Sequence, residues 1–516
     1  MPESFRNRTV GEIMSYPVVT AVPTQTVQQA ARMMNNAGVG SVVVIDGEKP
    51  IGMLTERDMV RYASSGSAAT FGRVSDWMAP DPLTVTKDVD IDTALNMLTE
   101  RGFRHLPVVE DGKLVGVLSI RDLLRAAEVR AFGTPAIEVP KGLKGVVVAE
   151  TCVGDVRGNE GFYHYRQYSA IDLAQQCTLE EVWHLLHEGH LPNSKELEDF
   201  TARIRQMRPL PEDLKAILPS VAGMGTEFVP LEALRSALSL LCSSWGFRPW
   251  IDSGPDVLKD QALRVCSVIP TLIMALHRLS EGEEPVEPRP DLGYAANYLY
   301  MWSGTQPSDT HARAIEQYMT STIEHGLNAS TFTARVVTST GADLGAAVVA
   351  ALGSLSGPLH GGAPSRALEM LDKIKEPEKA DEWIRSAVLE GRRIMGFGHP
   401  VYQTDDPRSL MLRSIAEHLG GPRVAFAKYI ESRVVEILKE LKPGRQLYAN
   451  VEYYASIVME TIGLPPHLFT PTFACSRAIG WTTHILEQAA DNRIIRPSGR
   501  YIGTAPPTPV PPLDQR

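Results

Sequence analysis

A chain of 516 residues with 43% hydrophobic and 22% charged residues has a globular balance and is too long for one ordinary core, so two or more domains are expected. Its formal net charge is −10 with no basic run, which excludes a nucleic-acid footprint, and its five cysteines without paired spacing suit a reducing, cytoplasmic setting. The N-terminus, Met-Pro-Glu-Ser-Phe-Arg, lacks the apolar core of a secretory signal, and the most apolar stretch, Leu344 to Leu359, is short and rich in Ala, Gly and Ser, so it reads as a tightly packed buried helix rather than a membrane span.

The first 125 residues repeat. Met14 and Met78, Gly38 and Gly102, Gly52 and Gly116, and Asp58 and Asp122 are each separated by 64 positions. Each copy runs through an extended Val/Thr segment, a helix (Val27 to Asn36; Ile91 to Arg101) and a hairpin whose strands flank Asp46-Gly47 or Asp111-Gly112. Each copy then gives a hydroxyl residue, an acid three positions later and a helix: Thr55-Glu-Arg-Asp58 and Ser119-Ile-Arg-Asp122. Such a pair is an N-cap on the plain reading. On the functional reading, the helix amides and hydroxyl hold a phosphate while the aspartate holds ribose hydroxyls. Duplication, these motifs and Arg104-His-Leu-Pro-Val resemble a tandem pair of cystathionine-β-synthase-type (CBS) domains, with repeats at about 8–63 and 72–126 within residues 1–128. That resemblance implies an α+β module whose clefts take an adenine nucleotide, with Thr55, Asp58, Ser119 and Asp122 as its contacts; some such modules bind nothing and only mediate assembly.

A connector at 129–141 follows, marked by Gly133, Pro135 and Pro140. Gly142 to Tyr168 alternates apolar and polar residues around Gly158-Asn-Glu-Gly161, as strands and a hairpin would. From Ile171 the pattern is helical almost to a proline-rich tail at 504–516.

Several chemistries have no motif here: there is no phosphate-binding Gly-x-x-x-x-Gly-Lys-Ser/Thr loop, no dinucleotide Gly-x-Gly-x-x-Gly, no Cys-x-x-Cys, no His-Glu-x-x-His and no Gly-x-Ser-x-Gly elbow. His184, His187 and His190 read as a solvated helix end rather than a metal site, and no metal ligand is assigned. What remains lies in the second half. Gly357-Pro-Leu-His360-Gly-Gly and Gly396-Phe-Gly-His399-Pro each set a histidine among glycines and proline, which is either a helix–helix turn or a close approach of backbone to ligand. With them stand Glu324-His325, Asp406-Pro-Arg408, Asn450-Val-Glu452, Ser476-Arg477 and Arg496-Pro497. Three arginines converging on one pocket would fork onto a dicarboxylate. A carboxylate base facing a neutral imidazole suits proton removal beside a carbonyl, the first half of an aldol- or Claisen-type condensation.

From about 142 to 503 these motifs, with Gly142-Leu-Lys-Gly-Val, Tyr165-Arg-Gln-Tyr168, Asn328-Ala-Ser-Thr331 and Ala478-Ile-Gly-Trp481, resemble citrate synthase in order and content. The resemblance implies a mostly α-helical fold with a large lobe and a small lobe (about 361–468) behind the CBS pair, and a homodimer or larger homo-oligomer, with no membrane partner. It implies that His360 stabilises the enol of acetyl-CoA, that Glu452 removes the methyl proton and that His399 donates to the oxaloacetate carbonyl. His325, Arg408 and Arg477 would hold oxaloacetate, joined by Arg496 from a second subunit. Ile394, Gly396, Phe397 and Gly398 would meet CoA. No prosthetic group is implied; acetyl-CoA is a substrate and an adenine nucleotide a regulator. The chain departs from the family pattern at Glu452, where aspartate is usual, at Ala455-Ser456 for Ser-Gly, at Gln403 for a basic residue that meets CoA phosphates, and at Gln167 for glycine. Two further readings stand beside citrate synthase: a 2-methylcitrate synthase using propionyl-CoA, and a non-catalytic nucleotide or CoA sensor.

Overall fold

The two sequence repeats exchange their leading segments when they fold. In the first copy β1 (Thr20–Ala21) lies parallel to β2 (Ser41–Asp46), which forms a hairpin with β3 (Lys49–Thr55); β4 (Ala79–Pro80) closes that sheet on β3. In the second, β5 (His105–Glu110) and β6 (Lys113–Ser119) form the hairpin, a parallel bridge joins Val85 to Val108, and Ser15 bridges Val117. The residue that closes each sheet thus comes from the segment leading into the other copy, and so does the packing beneath it. A Cβ at Gly52 would collide with Sδ of Met78, and one at Gly116 with Sδ of Met14. The positions that revealed the repeat by their spacing are therefore paired with one another in space. Val10, Ile13 and Met14 pack into the core of the second copy, while Val74, Trp77 and Met78 pack into that of the first.

The computed structural model describes residues 8–64, 72–101, 103–120, 122–123, 139–143, 145–358, 360–361, 363–398, 401–402, 404–442, 447–504 and 507–515. They divide into two compact units, Met1–Val146 and Val147–Arg516. The two helices predicted in the repeat appear at Val27–Ala37 and Ile91–Arg101. The first hairpin turn is displaced by one residue from the expected Asp46-Gly47: Asp46 pairs with Lys49, so Gly47 and Glu48 make the loop. In the second, Glu110 pairs with Lys113, and Asp111 and Gly112 take φ of 50° and 77°, as a two-residue loop that matches strand twist demands.

The second unit begins with a small antiparallel sheet, β7 (Gly154–Arg157), β8 (Phe162–Tyr165) and β9 (Tyr168–Ser169), and is otherwise helical. At its centre lies the helix Pro255–Ser280. Among the described residues it is the one helix long and apolar enough to cross a membrane, and most of it is buried within the protein. From Val265 to His277 it is buried on every side because the helices Pro230–Ser244, Tyr294–Ser303 and Phe469–Ala490 all pack on it. The helices Ala363–Ile374 and Pro407–Leu419 each pack on Val451–Ile462, and the last two also reach Asp309–Thr322.

His184 and His187 do not form a solvated helix end. The helix Leu179–Glu188 stops at Gly189 in the left-handed region, but it lies in the core. His184 is buried, and His187 turns its Nε2 to Thr482 Oγ1 at 3.2 Å, with burial pushing its pKa down to about 3. Spacing in the chain could not say that His187 meets Phe469–Ala490 and that His184 packs on Phe200 rather than facing water.

Candidate active site

Three helix N-termini, each capped by a short polar side chain, carry the site. Asn328 caps Ala329–Ser339, Asp406 caps Pro407–Leu419 and Asn450 caps Val451–Ile462. The capping atoms leave other first-turn groups to face outward from the helix ends.

His360 is held by the turn after Leu344–Leu355. Its amide donates to the Gly357 carbonyl at 2.9 Å, and the Gly361 amide reaches back to Leu355 at 3.0 Å. A Cβ at Gly361 would stand 2.5 Å from the Leu355 carbonyl oxygen, so only glycine fits that turn. The backbone amide of Ser330, in the first turn of Ala329–Ser339, approaches His360 Nε2 at 3.3 Å. An amide can only donate, so Nε2 accepts and the imidazole proton sits on Nδ1. Ser330 Oγ lies 2.8 Å from the same nitrogen, and its own position is set by the Trp481 indole at 3.1 Å and by Asn328 Oδ1 at 2.8 Å. Burial, with the charge of Arg477 added, lowers the His360 pKa to about 4. At neutral pH this is an uncharged imidazole with a fixed N–H donor.

The two buried arginines are held from opposite sides. Arg408 forks onto Asp406, Nε to Oδ1 at 3.0 Å and Nη2 to Oδ2 at 2.7 Å. Burial opposes its charge, but Asp406 overrides that and keeps its pKa above the ordinary value. Asp406 also accepts from its own helix at Arg408 N and from Val451 N at 3.2 Å, so one carboxylate ties the helix of Arg408 to the helix of Glu452. The Arg408 guanidinium lies 5.8 Å from the Tyr163 ring centre and 5.7 Å from that of Tyr402. His325 sits against the same two rings and meets Tyr402 OH through Nε2 at 2.9 Å. Arg477 donates through Nε to the Thr322 carbonyl at 3.0 Å, and its guanidinium covers Phe473 at 4.5 Å. Burial lowers its pKa, with Glu324 opposing.

Glu452 follows the cap Asn450 by two residues, and Asn450 Oδ1 takes its amide at 3.1 Å. Its carboxyl is desolvated, which raises its pKa to about 7; Arg408 pulls it down and Asp406 pushes it up. A carboxylate with that affinity for a proton is a capable base near neutral pH. The Ile394–Gly398 segment is laced to the approach of the same helix. Gly398 N donates to Tyr448 at 2.8 Å, Asn450 N to Gly396 at 2.8 Å and Asn450 Nδ2 to Gly398 at 3.0 Å. Phe397 bridges Ala449 and rests on Tyr453 with ring centres 5.0 Å apart. Gly396 has φ of 82° and a Cβ there would lie 2.9 Å from Tyr453, so the close packing requires glycine.

Of the residues singled out from sequence, the second unit therefore places Arg477 within electrostatic reach of His360 and of Arg408, Arg408 within reach of Glu452, and His325 and Arg408 against the same two tyrosine rings, with Ile394, Gly396, Phe397 and Gly398 hydrogen-bonded alongside the start of the Glu452 helix. His399 and Gln403 lie outside the described residues. Arg496 is not brought into this cluster by its own chain: it is exposed, in the segment that Ile495 N anchors to Ser339 Oγ at 3.0 Å.

Sequence reasoning missed the supports. Ser330, Asp406 and Trp481 stood inside quoted motifs without roles, Tyr402 lay just beyond the His399 motif, and Tyr163 and His484 carried no signal. Behind Arg477, the buried Glu324 carboxylate lies 3.1 Å from His484 Nε2. Arg335 donates to His484 Nδ1 at 2.9 Å, so the His484 proton is on Nε2, toward Glu324. In the first unit, Thr55 donates to Asp58 Oδ2 from its amide (3.0 Å) and its hydroxyl (2.7 Å), and Ser119 does the same to Asp122 (2.8 and 2.6 Å). Asp122 Oδ1 also accepts from Ser15 Oγ at 2.9 Å, and Asp58 Oδ1 lies 3.4 Å from Arg61.

Residues 142–498 match the family described as citrate synthase, C-terminal domain, and residues 10–65 and 74–129 each match the CBS domain. Citrate synthase of Haloferax volcanii is 37% identical over 370 residues, which cover 71% of this chain and 96% of that protein. The crystal structure of citrate synthase from Thermotoga maritima is similar with a TM-score of 0.65 at 33% identity, covering 73% of this chain and 99% of that one. Citrate synthase of Thermoplasma acidophilum, solved as a ternary complex with carboxymethyl coenzyme A and oxaloacetate, is similar with a TM-score of 0.68 at 28% identity, covering 73% of this chain and 100% of that one.

Proposed function

This chain belongs to the citrate synthase family, is an acyltransferase and carries a CBS pair at its N-terminus; from that premise we propose that it condenses acetyl-CoA with oxaloacetate and is regulated by an adenine nucleotide held in the CBS pair. The observation that carries the catalytic reading is the Glu452 carboxyl, which burial beside Arg408 brings to a pKa of about 7; the uncharged His360, its proton fixed on Nδ1, is the donor that such a base calls for. Ionised Glu452 takes a methyl proton from acetyl-CoA while the His360 Nδ1–H donates to the thioester oxygen, giving the enol. The enol carbon bonds to the oxaloacetate carbonyl carbon as His399 protonates that oxygen. Water then cleaves the thioester of citryl-CoA, releasing citrate and the CoA thiol. Arg408 and Arg477 bind the two carboxylates of oxaloacetate, with His325 beside them and Arg496 supplied by a second copy in a homodimer. The Ile394–Gly398 segment, tied to the Glu452 helix, receives CoA.

Thiol release from acetyl-CoA and oxaloacetate tests the reaction. Release with propionyl-CoA at an equal or greater kcat/KM would make the protein a 2-methylcitrate synthase instead; one methylene discriminates by only about 1–3 kcal/mol. No release from either thioester would leave the sensor reading. Regulation is tested by repeating the assay with ATP, ADP and AMP. An effector must bind two states of the protein unequally, typically shifting affinity by about 5–150-fold; nucleotides that bind while rates stay flat at every substrate concentration would refute it.

A further inference from the structure

The last turn of Pro255–Ser280 and the short turn Pro466–Leu468 bring two imidazoles together, away from the groups assigned above. His277 is 7% exposed, and its Nδ1 lies 3.2 Å from Nε2 of His467, with ring centres 5.0 Å apart. Glu281 comes one helical turn after His277 and its amide donates to the His277 carbonyl at 3.1 Å, so the two side chains share a face. One ligand atom from each of the three residues lies within 4.8 Å of the other two. The turn holding His467 links the helix that carries Glu452 to the helix that carries Arg477.

We propose that His277, Glu281 and His467 form a binding site for a divalent transition-metal ion of the zinc, cobalt or nickel type. Ligand atoms of a tetrahedral ion with bonds of about 2.0–2.1 Å stand roughly 3.3 Å apart, close to the spacing of the two imidazole nitrogens. Two imidazoles and a carboxylate suit these borderline ions rather than magnesium or calcium, which take oxygen ligands, and three protein ligands leave a fourth position for water. A second cluster, His184, His190 and Glu196, has similar spacing. There the His184 Nδ1–H donates to the His190 carbonyl at 3.0 Å and Glu196 Oε2 accepts the Asn193 amide at 2.8 Å, whereas His277 Nδ1 and His467 Nε2 hydrogen-bond to each other, a contact that a shared metal ion would replace.

Titration of the full chain, without a histidine tag, with Co²⁺ tests the site. One equivalent is expected to give the intense visible bands of tetrahedral cobalt, displaced by Zn²⁺. His467→Ala and Glu281→Gln, both at exposed positions, are expected to weaken Co²⁺ binding at least tenfold, whereas His190→Ala leaves it unchanged. Absence of tetrahedral bands in the wild type, their persistence in His467→Ala, or their loss in His190→Ala would each overturn the proposal.

Discussion

Asp58, Asp122 and Glu452 are all acids in the first turn of a helix, yet the molecule uses that position in two ways. In the N-terminal unit the carboxylates are consumed locally, each taking the amide and hydroxyl of a residue three positions back. In the C-terminal unit the capping work is done by others. Asn450 takes the Glu452 amide and Asp406 takes that of Val451, so the Glu452 carboxyl is left to the desolvated space beside Arg408. Residue type and helix position alone do not set the proton affinity of a carboxyl; a second capping residue and burial do.

The sharpest way to break this contrast is Glu452→Gln, which removes the proposed base and leaves the cap. It is expected to lower kcat by about 10²–10⁴, read as thiol release. The same variant has a stability signature with a definite sign. The folded pKa of Glu452, about 7, is raised above its unfolded value. Folding therefore favours the protonated form, and stability is lost as pH rises toward 7. Glu452→Gln is then expected to be more stable than wild type by roughly 3 kcal/mol at pH 8, an advantage that fades near pH 5, in denaturant titrations at the two values. Next comes His360→Asn, expected to cost about 10²–10³ in kcat by removing the aimed donor. In wild type, kcat/KM should fall about tenfold per pH unit below an apparent pKa near 7, as Glu452 takes up its proton, and a limb near 4 instead would assign the base elsewhere. Gly361→Ala tests whether the turn, rather than the histidine, sets the geometry. Its Cβ meets the Leu355 carbonyl at 2.5 Å, and a destabilisation of about 1–3 kcal/mol is expected from urea melts. The smallest effect belongs to the local acids: Ser119→Ala should cost about 1 kcal/mol as a lost cap, with AMP affinity by calorimetry deciding whether the same hydroxyl also binds nucleotide.

How legible each part was follows from the range of its interactions. The two repeat helices are at the predicted residues because helix periodicity and capping act within a few positions. The 64-residue spacing exposed the duplication, but not that Met14 lies against Gly116 and Met78 against Gly52, because nothing in a period says which copy a segment joins. His184 and His187, expected at a solvated helix end, pack against the protein instead, because the spacing of residues within one helix says nothing of what lies beside it.

By itself the sequence determined the family, the mostly helical body behind a CBS pair and the histidines, arginines and acid worth testing, since those are carried by motifs whose residues are close in the chain. Tertiary structure decided their chemical states. The proton on His360 Nδ1 is set by the amide of Ser330, thirty positions upstream. The carboxylate beneath Arg408 also takes the amide at the start of the Glu452 helix, forty-five positions on. Desolvation, which moves Glu452 and His360 in opposite directions, is a property of what surrounds a group rather than of its neighbours in sequence.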